Sequence, residues 1–207
     1  MFRPFFAHLN STSTPTPVFV HPAGPCLHAT NGSLISANPT FYPEGLVEFY
    51  FETARTFMDL TLTQTIVNFT SLKWIVPHAG GAFPAIKDRF LTSQPAELQA
   101  KSREAYATRL FWDVAGPVFP RQVLGLLGYG VPVTQLLYGS VCVALGRFKV
   151  RKLVCSLTAA QDFPYAPSFT YEYEIAAIES ATFLSADEKI RLFAGNDRAV
   201  FEDDSRV

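Results

Sequence analysis

Trp74-Ile75-Val76-Pro77-His78-Ala79-Gly80-Gly81-Ala82-Phe83-Pro84 is the stretch whose reading decides the fold. Three large apolar residues read as a strand, Pro77 ends it because proline brings no ladder donor, and Gly80-Gly81 permit a sharp turn. A helical stretch follows to about Phe90. The same strand, turn and helix rhythm extends outward in both directions. Upstream, Val18-Phe19-Val20 reads as a strand ending in His21-Pro22. The segment from His21 to Gly45, with prolines 22, 25, 39 and 43, reads as one long loop of the kind that carries function. The apolar positions Val47, Phe51, Ala54, Met58, Leu62 and Phe69 then predict a single amphipathic helix of about six turns. Downstream come a polar helix from about Ala96 to Thr108, the strand Leu110 to Val114, a helix near Pro120 to Leu127, and the strand Gln135 to Tyr138. Short β-rich runs alternating with helices predict βα units on a parallel sheet, an α/β fold of about four units with helices at its C-terminal end. There, Ser185-Ala-Asp-Glu188 has the spacing of a capping box, and its helix ends near Gly195.

The 207 residues are 48% hydrophobic and only 17% charged, against a usual charged fraction of about 25%. The low charge suggests extra buried surface. A net charge of -1 argues against a nucleic-acid partner, which would call for a clustered basic excess. No apolar run is long enough to span a bilayer, so no membrane partner is expected. The start, MFRPFFAHLN, lacks the apolar core of a signal peptide, which points to a cytoplasmic location. Cys26, Cys142 and Cys155 form neither a paired framework nor a CxxC site. Gly125 to Gly130 lacks dinucleotide-loop spacing.

Val141 to Gln161 stands apart. It holds Arg147, Lys149, Arg151 and Lys152 and no acidic residue, so removing it leaves 13 basic against 18 acidic side chains. Excising it joins Gly139-Ser140 directly to Asp162-Phe163-Pro164-Tyr165, the short strand-to-loop connection found after the other strands. Its 21 codons make 63 nucleotides, the length of a short intron. Val-Cys, Leu-Thr and Gln can encode a 5′ splice site, a branch point and a 3′ end. The segment reads as a translated intron, with an inserted surface loop as the alternative.

His21, His78 and, across that segment, Asp162 all stand just beyond strand ends. Imidazoles and a carboxylate on one rim suit a divalent metal that polarises a carbonyl or activates water. Each histidine alone reads first as a hydrogen-bonded structural residue. His78-Ala-Gly-Gly reads either as a turn or as a loop whose amides approach a ligand. Asp113, followed by Ala-Gly-Pro, reads as a loop-capping carboxylate, with a rim residue as the alternative.

Glu52-Thr53-Ala54-Arg55, Trp74 to Pro84, Asp113 to Pro117, and Leu137-Tyr138-Gly139-Ser140 rejoined to Asp162 to Tyr165 together resemble the decarboxylase branch of the amidohydrolase superfamily. Its members include aminocarboxymuconate-semialdehyde, γ-resorcylate and 6-methylsalicylate decarboxylases, and the wording is closest to the fungal 6-methylsalicylate type. The resemblance runs from about Phe2 to Phe201 in one domain spanning 1–207. It implies a distorted (β/α)8 TIM-type barrel and a metal-dependent, non-oxidative decarboxylase of a small aromatic acid, working with Zn2+ or Mn2+. His21 matches the third metal histidine and Asp162 the metal aspartate. Asp162 also counts as catalytic with His78, which matches the proton-transfer histidine. Arg89 falls where some members hold the substrate carboxylate.

Two departures accompany the match. The family's His-x-His metal pair occurs nowhere here, and His8 and His28 do not replace it. The alignment starts the chain near the fourth helix, so the sequence predicts the C-terminal half of the barrel. Its open edges predict poor solubility or a homodimer. Three readings therefore compete: an aromatic-acid decarboxylase of secondary metabolism, a non-catalytic fragment or pseudoenzyme, and a hydrolase of a lactone or amide.

Overall fold

The computed structural model of the chain describes residues 2–12, 14–36, 41–138 and 169–201. Asp162 and the basic block 141–161 lie outside these residues. Four parallel strands form the central sheet: β1 (Thr16–Phe19) at one end, then β4 (Leu72–Val76), β5 (Leu110–Asp113) and β6 (Leu136–Leu137). Val18 faces Trp74, Trp74 faces Leu110, and Trp112 faces Leu136. Strands that pair in sequence order, with helices between them, are the repeating unit of a β/α barrel. The four units expected from the sequence are present.

The two sheet faces differ. Leu72, Trp74, Val76, Leu110, Trp112 and Leu136 point to the main core, covered by α2 (Glu44–Leu62), α4 (Phe83–Leu91), α5 (Ala96–Arg109) and α6 (Arg121–Gly128). Aromatic rings dominate it. Phe83 packs on Phe57, Tyr106 and Trp112 with centroids 5.7, 5.6 and 6.1 Å away, and Phe6 from α1 (Arg3–Asn10) meets Trp74 edge-on at 5.2 Å. Ile75, Phe111 and Leu137 point the other way and form a smaller cluster with Val200 of α9 (Arg198–Phe201). In a closed barrel that second face is the lumen.

Among the described residues the other α-helices are α3 (Thr65–Asn68), α7 (Phe169–Ser180) and α8 (Ala186–Ala194). Ser185 caps α8 with both bonds of the capping box. Among the described residues no helix is long and apolar enough to cross a membrane.

Three local expectations change. The expected six-turn helix is two, because Gln64 adopts a left-handed conformation (φ 60°) that ends α2 and starts α3. The buried face of α2 is also rotated from the one the apolar stripe suggests: Thr53, Ala54, Phe57, Leu60 and Thr61 are buried, whereas Phe51 and Leu62 are exposed. Thr53 and Thr61 tolerate burial because their hydroxyls donate to the carbonyls of Phe49 and Phe57 one turn back. Finally, the loop after His21 contains a hairpin of β2 (Cys26–His28) and β3 (Leu34–Ser36). Gly32 (φ 81°) and the Asn31 carboxamide, which accepts from the Ser33 amide at 3.0 Å, form its turn.

Candidate active site

Both rim histidines leave the carboxyl ends of neighbouring parallel strands, so the sheet brings together residues 57 positions apart. Val20 extends the β1 ladder by donating to the Ile75 carbonyl, and His21 follows. β4 ends at Val76, and His78 follows Pro77. Their ring centroids are 5.8 Å apart at an interplanar angle of 75°. His21 is exposed, whereas His78 is buried at 4% exposure. A carbonyl can only accept, so His21 Nδ1 carries the proton in its 2.7 Å bond to the Pro22 carbonyl. His78 Nδ1 likewise faces the Ala115 carbonyl, at 3.4 Å. This tautomer puts each neutral ring's lone pair on Nε2, the arrangement common in imidazoles that bind metals or move protons.

The loop holding His78 is a left-handed run: φ is 51° at His78, 52° at Ala79, 80° at Gly80 and 54° at Gly81. Non-glycine residues in this region cost about 1–2 kcal/mol each, so the surroundings must hold the loop. Gln122 of α6 donates to the His78 carbonyl at 2.9 Å. The Tyr50 carbonyl accepts from the Ala82 amide at 3.2 Å. A side chain at Gly80 would come within 2.5 Å of the Trp112 ring, and one at Gly81 within 2.4 Å of the Tyr50 carbonyl oxygen. The Gly80 and Gly81 amides donate to the carbonyls of Pro77 and His78. The glycines therefore serve the turn and its close packing. Asp113 is the capping carboxylate expected, its Oδ1 accepting from the Ala115 amide at 2.6 Å.

Phe49, Tyr50 and Gln122 are neighbours of the site that the sequence did not single out. Their signal is faint: two adjacent aromatics on a helix, and a glutamine on another. Arg89 is exposed on the last turn of α4, the end remote from the His78 loop. His8 and His28 are exposed on α1 and β2. His21 also lines an apolar groove of about 690 Å3 beside β1, walled by Phe2, Phe5, Phe6, Val18 and Phe19.

Among the described residues no three His, Cys, Asp or Glu side chains gather to hold a metal ion. Two imidazoles fall short of the three or four protein donors that a zinc or manganese site uses. The described residues therefore do not by themselves make a metal centre.

No family model matches the chain. Among curated proteins it is 28% identical over 203 residues to the decarboxylase yanB of Aspergillus niger, covering 96% of this chain and 48% of that protein. It is also 28% identical over 144 residues to the 6-methylsalicylic acid decarboxylase of Penicillium expansum, covering 67% of this chain and 41% of that one. The chain thus spans about half the length of the curated relatives it matches. A solved amidohydrolase II superposes with a TM-score of 0.72 at 23% identity, over 97% of this chain and 56% of the other. The chain resembles the decarboxylase branch of the amidohydrolase superfamily. A dihydroxybenzoic acid decarboxylase of Polaromonas, solved with bound manganese and 2-nitroresorcinol, superposes with a TM-score of 0.62 at 15% identity, over 96% of this chain and 52% of the other. Four parallel strands matching about half of such chains make the fold a partial TIM-type barrel.

Proposed function

We propose that the chain supplies the C-terminal half-barrel of a metal-dependent, non-oxidative decarboxylase of a small aromatic acid of the 6-methylsalicylate kind, in secondary metabolism. The observation that carries the reading is the pairing of His21 and His78 on one rim, 5.8 Å apart, in a fold shared with decarboxylases. In this reading His78 is the proton donor and His21 a metal ligand. Asp162 is a further ligand that also takes part in catalysis, and Arg89, exposed at the far end of α4, contacts the substrate carboxylate by reaching into the site of the second subunit of the homodimer. His78 keeps its Nδ1 proton on the Ala115 carbonyl and delivers the Nε2 proton to the ring carbon bearing the carboxylate. The ring is then an imidazolium at the moment of transfer. The carbon–carbon bond breaks, its electron pair restores the aromatic ring, carbon dioxide leaves, and solvent reprotonates the imidazole. At 4% exposure His78 is shielded from bulk water, which limits competition for the proton it carries.

The described donor set favours a second statement about these 207 residues taken alone: they bind Zn2+ or Mn2+ weakly and do not turn over. The chain is read as one domain in which 141–161 is translated intron sequence, and as a homodimer that covers the open sheet edges. Titration calorimetry with MnCl2 and ZnCl2, together with carbon dioxide release from 6-methylsalicylate and 2,6-dihydroxybenzoate, tests this. Weak binding and no release are expected. Stoichiometric metal with carbon dioxide release contradicts the incomplete-site reading, and hydrolysis of a lactone without carbon dioxide contradicts the decarboxylase reading. A mature transcript retaining all 63 nucleotides contradicts the intron.

A further inference from the structure

We infer that Phe49 and Tyr50, adjacent on α2, are positioning residues that set the two rim imidazoles against each other. The inference rests on His21 and His78 being the site and adds the element that fixes their separation. Successive helical residues project about 100° apart, so a neighbouring pair can address two different strand ends. Phe49 meets His21 edge to face, with centroids 5.7 Å apart at 85°. Tyr50 lies nearly parallel to His78, at 5.9 Å and 25°. With the 5.8 Å contact between the imidazoles, the four rings form one chain whose two ends are both anchored in α2. These distances lie in the range where aromatic pairs attract.

Tyr50 acts on His78 twice. Its carbonyl holds the Ala82 amide and leaves no room for a side chain at Gly81, which ties down the loop that carries the imidazole. Its ring covers one face of that imidazole. The hydroxyl reaches the Gly116 turn, where an added methyl would lie 3.7 Å from Tyr50 Oη and 3.6 Å from His78 Nδ1. Ring and hydroxyl thus border the imidazole and the Gly116 turn beside it. Neither Phe49 nor Tyr50 belongs to the buried hydrophobic core, so their histidine contacts are not a by-product of core packing.

Histidine ring resonances of the full chain at one fixed pH, assigned with single His→Gln variants, provide the test. The Tyr50 ring is expected to displace the His78 ring protons upfield. Tyr50→Leu is expected to abolish that displacement and leave His8 and His28 unmoved, and Tyr50→Phe to restore it. Phe49→Leu is expected to change the His21 signals selectively. An unchanged His78 spectrum in Tyr50→Leu overturns the inference, as does a Tyr50→Phe spectrum that loses the displacement. Should the leucine variant not fold, cross-relaxation between the rings of residues 50 and 78 in the wild type and in Tyr50→Phe decides instead: present in both it supports the clamp, absent in either it overturns it. Intact ring contacts, together with a folded, metal-loaded fusion to an N-terminal half-barrel that fails to decarboxylate, overturn the functional reading alone.

Discussion

Gly81 and Gly125 show how differently one residue type is used. Gly81 has φ 54° and a carbonyl 2.4 Å from any added side chain, whereas Gly125 lies inside α6 with nothing within 4 Å. Gly81→Ala combines a strained backbone with overpacking and is expected to cost about 3 kcal/mol. Gly125→Ala relieves a helix interior of glycine and is expected to gain up to about 1 kcal/mol. Urea unfolding of both variants checks the pair. The sequence marked Gly80-Gly81 as special but left their purpose open between turn and ligand loop. The neighbours that exclude a side chain, Trp112 and Tyr50, are remote in the chain, so only the fold could decide. Tyr106 offers a second test. Burial pushes its phenol up to about 12, against a smaller opposing effect of its 2.7 Å hydrogen bond with Thr61. The folded state therefore holds this proton more tightly than the unfolded one. The resulting contribution is fully present below pH 10 and is lost as pH rises through about 12. Phenolate absorbance of the wild type minus that of Tyr106→Phe is expected to rise near 12 and not near 10.

At the scale of elements, legibility followed how local the deciding forces are. The capping box of α8 was readable because Ser185 and Glu188 need only each other. The carboxylate accepts from the Ser185 amide and hydroxyl at 2.8 and 2.7 Å, and those bonds lower its pKa. Ser185→Ala is expected to cost about 1 kcal/mol. A lowered carboxylate pKa gives stability that is present above the unfolded value and lost as pH falls through the folded one. The deficit of Ser185→Ala should therefore shrink in acid, which thermal melts at neutral and acid pH measure. The strands β4 and β5 were equally plain as apolar runs cut by Pro77 and Gly116. The α2 face was misphased because apolar stripes fit two registers, and the chosen one is set by Phe57 and Phe83 meeting across helices. The β2–β3 hairpin escaped notice because strands of three residues are too short to show alternation. Phe49 and Tyr50 escaped for another reason: adjacent residues belong to no periodic pattern, and their partners become visible only when β1 and β4 lie side by side.

For the molecule as a whole, the low charged fraction and the open edges belong together. Among the described residues β1 ends the sheet, and beside it Phe2, Phe5 and Phe19 are 67%, 54% and 37% exposed, around the groove that His21 lines. Apolar surface beside an edge strand invites association. Phe19→Glu is expected to shift the chain toward monomer in sedimentation equilibrium, and an unchanged distribution would show that this edge is not the contact. The central claim is that these residues form the working C-terminal half of a decarboxylase barrel, with His78 as the proton donor. Fusing the N-terminal half of the Aspergillus niger relative ahead of Phe2 and measuring carbon dioxide release from 6-methylsalicylate with manganese tests it most directly. Release by the fusion, none by the 207-residue chain alone and none by the His78→Ala fusion is the expected result; a folded, metal-loaded fusion that releases nothing, or a His78→Ala fusion as active as its parent, contradicts it.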